Sequence, residues 1–100
     1  MNAFPDGLHK AFEHRIRLGI MAALSVNTHQ DFRTLKELLE ITDGNLASHI
    51  KALVKEEFIQ VEKQFLGNKP NTRYAITPAG KHAFSRHIDA LETLIKLKRN

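Results

Sequence analysis

Between Ile59 and Gly80 the chain alternates, breaks, alternates again and then caps a helix. That order constrains its fold more than any other stretch. Ile59, Val61 and Phe65 alternate with Gln60, Glu62 and Gln64, the period of a strand over residues 59–66. The tip Gly67-Asn68-Lys69-Pro70-Asn71 follows. Gly67 permits a positive φ and Pro70 pre-sets a turn. Tyr74 and Ile76 supply a returning strand over 72–76. Thr77-Pro78 then offers an N-cap with proline at the first helical position, and the spacing predicts a helix over about 78–97. A hairpin with a basic tip therefore lies between two helical segments.

Upstream, Leu8, Phe12, Ile16, Ile20 and Leu24 recur every four positions, which predicts a helix over about 8–24 with Ala11 and Ala23 alongside the stripe. Leu18 and Met21 lie off that stripe, a second apolar side that hints at a dimer contact. Ser25 to Gln30 reads as loop and Asp31 to Arg33 as a short strand. Thr34-Leu35-Lys36-Glu37 has the form of a capping box, opening a short helix that ends near Leu39, with Ile41 plugging the core in the connection. Thr42 is a good N-cap for a third helix to Glu56, with Asp43 in its first turn. Its apolar stripe is Leu46, Ile50, Leu53 and Val54. The opposite side carries Gly44, Asn45, Ser48, Lys51, Ala52 and Lys55, with no large apolar residue. The expected fold is α+β and mainly α: a winged helix-turn-helix with a two- to three-stranded wing sheet and a long C-terminal helix, forming one domain over residues 1–100.

Composition limits what such a domain can do. No cysteine occurs, which excludes disulfides, thiolate chemistry and Cys-ligated metal. Lys and Arg outnumber Asp and Glu by 15 to 11, and the net charge of +4 favours a polyanionic partner. No apolar run is long enough to span a bilayer. Met1 to Asp6 has neither a basic leader nor an apolar block, so a cytoplasmic protein is expected. There is no Gly-rich phosphate loop and no G-x-S-x-G elbow, so neither an enzyme nor a cofactor is expected.

Four segments carry a family resemblance: Arg17 to Leu24, Leu35 to Leu39, Thr42 to Ile50 and Thr72 to Gly80. With them the chain, from about Leu8 to Leu97, resembles the small stand-alone winged-helix transcriptional regulators related to the MarR and ArsR families. The resemblance implies a dimeric prokaryotic repressor or activator, with residues 42–56 in the major groove of double-stranded DNA and the wing on the adjacent minor groove or backbone. It departs from ArsR-type metal sensors, which often carry a Cys pair in the recognition helix. It is also too short for the extra helices that enclose the ligand pocket of full-length MarR proteins. No effector is implied.

The candidate DNA contacts follow from residue chemistry. Asn45 and Ser48 can bond base edges or phosphates, Lys51 and Lys55 suit phosphates, and Gly44 lets backbone approach backbone. His49, at the edge of the stripe, is equally a capping, packing or phosphate residue. On the wing, Lys63, Asn68, Lys69 and Arg73 place positive charge on a protruding hairpin, although edge strands also carry Lys simply to stay soluble. Arg73 is alternatively an ion-pair partner for Glu62. Phe84, Ile88, Leu91, Leu94 and Ile95 form a near-heptad seam, expected to close a homodimer unless it packs on the first helix. The basic tail Lys96 to Arg99 is expected to be solvated or frayed. His82 and His87 are five apart, about 140° around a helix, so they do not converge on a metal. His9 and His14 have the same spacing, and all four read as surface histidines. A winged helix serving protein–protein contact, or binding structured RNA, is the alternative.

Overall fold

The hairpin forms two strands of a three-stranded antiparallel sheet, with its returning strand at the centre. In the computed structural model, which describes residues 4–99, the chain order is α1 (Arg15–Val26), β1 (Gln30–Asp31), α2 (Phe32–Leu39), α3 (Asp43–Lys55), β2 (Ile59–Leu66), β3 (Lys69–Ile76) and α4 (Pro78–Arg99). Met1 to Ala3, part of the N-terminus considered above, and Asn100 lie outside the described residues. Strand order is β1-β3-β2, with Gln30 opposite Tyr74 and Ile59 opposite Ile76. The returning strand begins at Lys69, three residues earlier than the spacing predicts. Leu66 pairs with Lys69, so the turn is only Gly67-Asn68, with Gly67 at φ +66°. A two-residue turn with glycine in the left-handed region is a favoured hairpin connection. Pro70 is tolerated within β3 because β1 pairs only with residues 73 and 74, leaving the other edge open at the tip.

The helices pack a shared core of Phe12, Ile20, Met21, Leu24, Leu35, Leu46, Ile50, Leu53 and Ile59. Ile41 packs against it, as expected. Met21 is fully buried within this core, so it offers no second side for a partner. The first helix is also broken. Residues Lys10–Phe12 form a 3-10 turn, and α1 starts only at Arg15 because the His14 ring accepts the Ile16 amide at 3.1 Å and caps it there. Similarly α2 starts at Phe32, before the expected capping box. Asp31 is the N-cap, accepting the Thr34 amide at 2.8 Å, and Glu37 pairs with Arg33 at 3.0 Å instead of reaching back. An ionised carboxylate accepts more strongly than a hydroxyl, and those backbone and hydroxyl bonds from Thr34 hold the Asp31 carboxyl below its ordinary value.

Thr42 caps α3 as expected, accepting the Asn45 amide at 3.2 Å. At its far end Glu57 adopts φ +62°, and the Glu57 and Phe58 amides donate to the Val54 and Leu53 carbonyls at 2.9 and 3.0 Å. These two bonds are those of a Schellman cap, closed by the buried Phe58. Thr77 then joins the two helices. Its hydroxyl accepts the Gly80 amide at 2.9 Å and donates to the Glu57 carbonyl at 2.7 Å, while its own amide donates to Phe58 at 3.0 Å. The wing thus leaves and returns at one fixed point beneath α3. Beyond it α4 runs for 22 residues.

His87 on α4 is buried, contrary to the surface position expected, whereas His82 is exposed. Its Nδ1 accepts the His9 amide at 3.0 Å, and its ring packs against Phe12. Burial, then proximity to His9, pushes its pKa below the ordinary 6.5, against the opposing pull of Glu13. The unfolded chain therefore binds this proton more readily than the folded one. Stability from His87 is complete above about pH 6.5 and is lost as pH falls through the depressed folded value. Urea midpoints should fall below that pH, and less steeply in a His87→Leu variant. Equal slopes for the two proteins would assign the dependence to other groups.

Candidate nucleic-acid interface

The face of α3 opposite the core is open and polar. Gly44, Asn45, Ser48, Lys51 and Lys55 are all exposed, while Leu46, Ile50 and Leu53 on the other side are buried. A Cβ built on Gly44 would meet nothing within 4 Å, so packing within the domain gives no reason for glycine there. Asp43, the acid at the head of the helix, is neutralised by Lys36 at 2.8 Å. Among the described residues neither Lys51 nor Lys55 has an ion-pair partner.

The wing divides its charges between faces. Lys63 sits opposite Thr72 and Lys69 opposite Leu66, and by the two-residue period of a strand these pairs point to opposite sides of the ribbon. Lys63, Asn68 and Lys69 are exposed, and neither lysine is ion-paired among the described residues. Arg73 differs. It stands opposite Glu62 and its Nε donates to the carboxylate at 2.9 Å, the ion pair named above as the alternative. His29 reaches the same carboxylate at 3.2 Å, and a bond from Gln60, then those from Arg73, lower the pKa of Glu62. The Arg73 charge is thus balanced inside the wing. Val61 and Phe65 do not follow Ile59 into the core. They are exposed, Phe65 by 74%, because the hairpin projects past the core that would cover them.

His49 is half-buried and turned towards α1. Arg17 Nε donates to its Nδ1 at 3.1 Å, and the His14 ring lies 4.1 Å from its own, tilted by 37°. Burial, then the nearby His14 and Arg17, push its pKa down. Neither His14 nor Arg17 was singled out from sequence for binding. Their spacing of three puts them on one helix face, but the partner is 32 residues away from Arg17.

The seam on α4 is also divided. Phe84 packs against the domain's own core. Leu91 and Leu94 line a groove of about 400 Å³ with Phe4, Leu8, Phe12, Glu13, Leu18 and His87. Ile88 and Ile95 remain 40% and 51% exposed. Of the tail, Lys96 and Lys98 are exposed, Lys96 lying 3.6 Å from Glu92; the side chain of Arg99 is outside what the structure describes. Among the described residues no group of three potential metal ligands converges. No helix among them is long and apolar enough to cross a membrane.

A capped polar helix followed by a basic hairpin and a locked return helix defines the winged-helix class of nucleic-acid-binding domains. The chain belongs to the winged helix DNA-binding domain family, which it matches over residues 16–95. It is 34% identical over 87 residues to the uncharacterized protein MJ0432 of Methanocaldococcus jannaschii, across 87% of this chain and 95% of that one. A transcriptional regulator homologue from Pyrococcus horikoshii OT3 superposes with a TM-score of 0.80 at 29% identity, covering 86% of this chain and 85% of that one. YusO from Bacillus subtilis superposes with a TM-score of 0.79 over 89% of this chain, but at 12% identity and over 62% of its own length it shares the fold alone.

Proposed function

We propose that the protein binds double-stranded DNA sequence-specifically, as a cytoplasmic prokaryotic homodimer that controls transcription. The observation that carries this is the set of four lysines, Lys51 and Lys55 on α3 and Lys63 and Lys69 on the wing, all exposed and none paired with a carboxylate among the described residues. Phosphates are the natural counterions for such a set. Asn45 and Ser48, nearer the head of the same α3 face, read base edges in the major groove. Gly44 brings the head of α3 against the DNA backbone. The exposed Ile88 and Ile95, continuous with Leu91, form the homodimer contact, and two-fold symmetry sets the recognition helices roughly 34 Å apart.

Selection of bound sites from a random duplex library tests this directly, with a two-fold symmetric site as the expected product. On that site a Gly44→Ala variant should fold at least as well as the wild type, since alanine favours a helix by up to ~1 kcal/mol. It should bind about tenfold more weakly, a loss of ~1.4 kcal/mol. Failure to enrich any sequence would overturn the assignment. The exposed Phe65 and Leu66 at the wing tip favour a second possibility, a protein-binding wing. Recovery of one protein partner with no retention on DNA or RNA would select it.

A further inference from the structure

We propose that His14, Arg17 and His49 form a seat for one DNA backbone phosphate at the edge of α3 that faces α1. This rests on DNA binding by α3 and adds a contact from outside the helix-turn-helix and wing. Three features of the cluster favour an anion. The first is its surplus of donors. His49 Nδ1 accepts from Arg17 Nε at 3.1 Å, and His14 Nδ1 accepts from the Ile16 amide at 3.1 Å. With both Nδ1 atoms accepting, each neutral imidazole carries its proton on Nε2, and the guanidinium keeps its two terminal nitrogens as donors. The second is the lack of a counter-charge. Among the described residues no carboxylate pairs with any of the three. Among the described residues, His14 and Arg17 are the neighbouring groups that bear on the charge of His49, and Glu13, beside His14 in sequence, lies instead in the groove with His87. The third is position. No acid occupies the first turn of α1, so the positive end of that helix dipole adds to the same field. His49 itself follows Ser48 and lies one turn from Asn45 on α3.

A phosphodiester suits this seat better than a base edge. It offers only acceptors and one full negative charge, whereas base edges present donors as well. The seat also has a titration signature. Burial and its two neighbours disfavour a proton on the His49 imidazole in the free protein. A proton taken up on binding must sit on Nδ1, where it displaces the Arg17 Nε–H, and an adjacent phosphate would accept the donors so freed. Binding then takes up protons, so affinity rises as pH falls from about 7.5 to 6.

The test uses the full chain and a duplex carrying the selected site, with circular dichroism confirming that each variant is folded. Arg17→Ala should reduce the steepness of the salt dependence by about 1 for each protomer bound, and Arg17→Lys should restore part of it. A His14→Gln, His49→Gln double variant should bind at pH 7.5 but lose the strengthening seen in the wild type towards pH 6. Ring-proton NMR of the wild type, with and without duplex, should show the His49 titration move upwards on binding. This last readout needs no variant to fold. An unchanged salt slope in Arg17→Ala, an unchanged pH response in the double variant, or an unmoved His49 titration would each overturn the seat. If the wild type binds DNA through its lysines while these three results are null, the seat alone is wrong. If the wild type binds no duplex at all, DNA binding and the seat fall together.

Discussion

Replacing Gly80 by alanine should cost the domain at least about 3 kcal/mol, by the overpacking of a well-packed contact. A Cβ at residue 80 would overlap the carbonyl oxygen of Phe58 and lie 2.8 and 2.9 Å from its carbonyl carbon and Cα. These are backbone atoms that cannot swing aside. The Phe58 amide is held by Leu53 and its carbonyl by Thr77, both at 3.0 Å, and its ring is buried against Phe12. The first turn of α4 would have to lift away, breaking the Thr77 bonds that tie it to the end of α3. Against a total stability of about 5–15 kcal/mol that is a large fraction. Thermal unfolding by circular dichroism should show a midpoint lowered by more than about 10 °C. Gly44→Ala, made in open space, is the control. A shift of only a degree or two for Gly80→Ala would mean that α4 is not seated on Phe58.

The second large effect concerns binding. Simultaneous Lys51→Ala, Lys55→Ala and Lys69→Ala substitutions should leave stability nearly unchanged, because all three side chains are exposed and unpaired among the described residues. In a dimer they remove six cationic groups, and affinity at moderate salt should fall by at least about a hundredfold. The loss should be similar for specific and non-specific duplexes, since phosphates carry no sequence information. Substituting Asn45 or Ser48 should instead change preference at particular base pairs. An Arg73→Ala variant should lose less affinity than Lys69→Ala, because its charge is already balanced by Glu62.

How much of this was legible in the sequence follows the range of the interactions. The caps at Thr42 and Thr77 are settled within three residues of chain, and both stand as the sequence predicts. The α3 stripe was equally readable, since Leu46, Ile50 and Leu53 repeat with the helix itself. Asp31 and His14 were missed as caps. Thr34 offered a more familiar pattern, and a histidine is an uncommon capping residue whose role depends on its ring orientation. The wing register needed the turn length. A tip spanning 67–71 would pair Leu66 with Thr72, whereas the true two-residue turn pairs it with Lys69 and so sets Arg73 opposite Glu62. The burial of His87 and the His14–Arg17–His49 cluster depend on contacts between distant segments, which no local pattern encodes. The α4 seam was readable as apolar, but its division between the domain's own groove and an open stripe depends on where the N-terminal segment lies.

The cationic, polar α3 face and the wing together make the central claim, and fluorescence anisotropy of the wild-type protein on a labelled duplex across a salt series tests it most directly. Contacts to about 6–8 phosphates by a dimer predict that log K falls against log salt with a slope near −5 to −7. An association constant that stays level from low to high salt would contradict it.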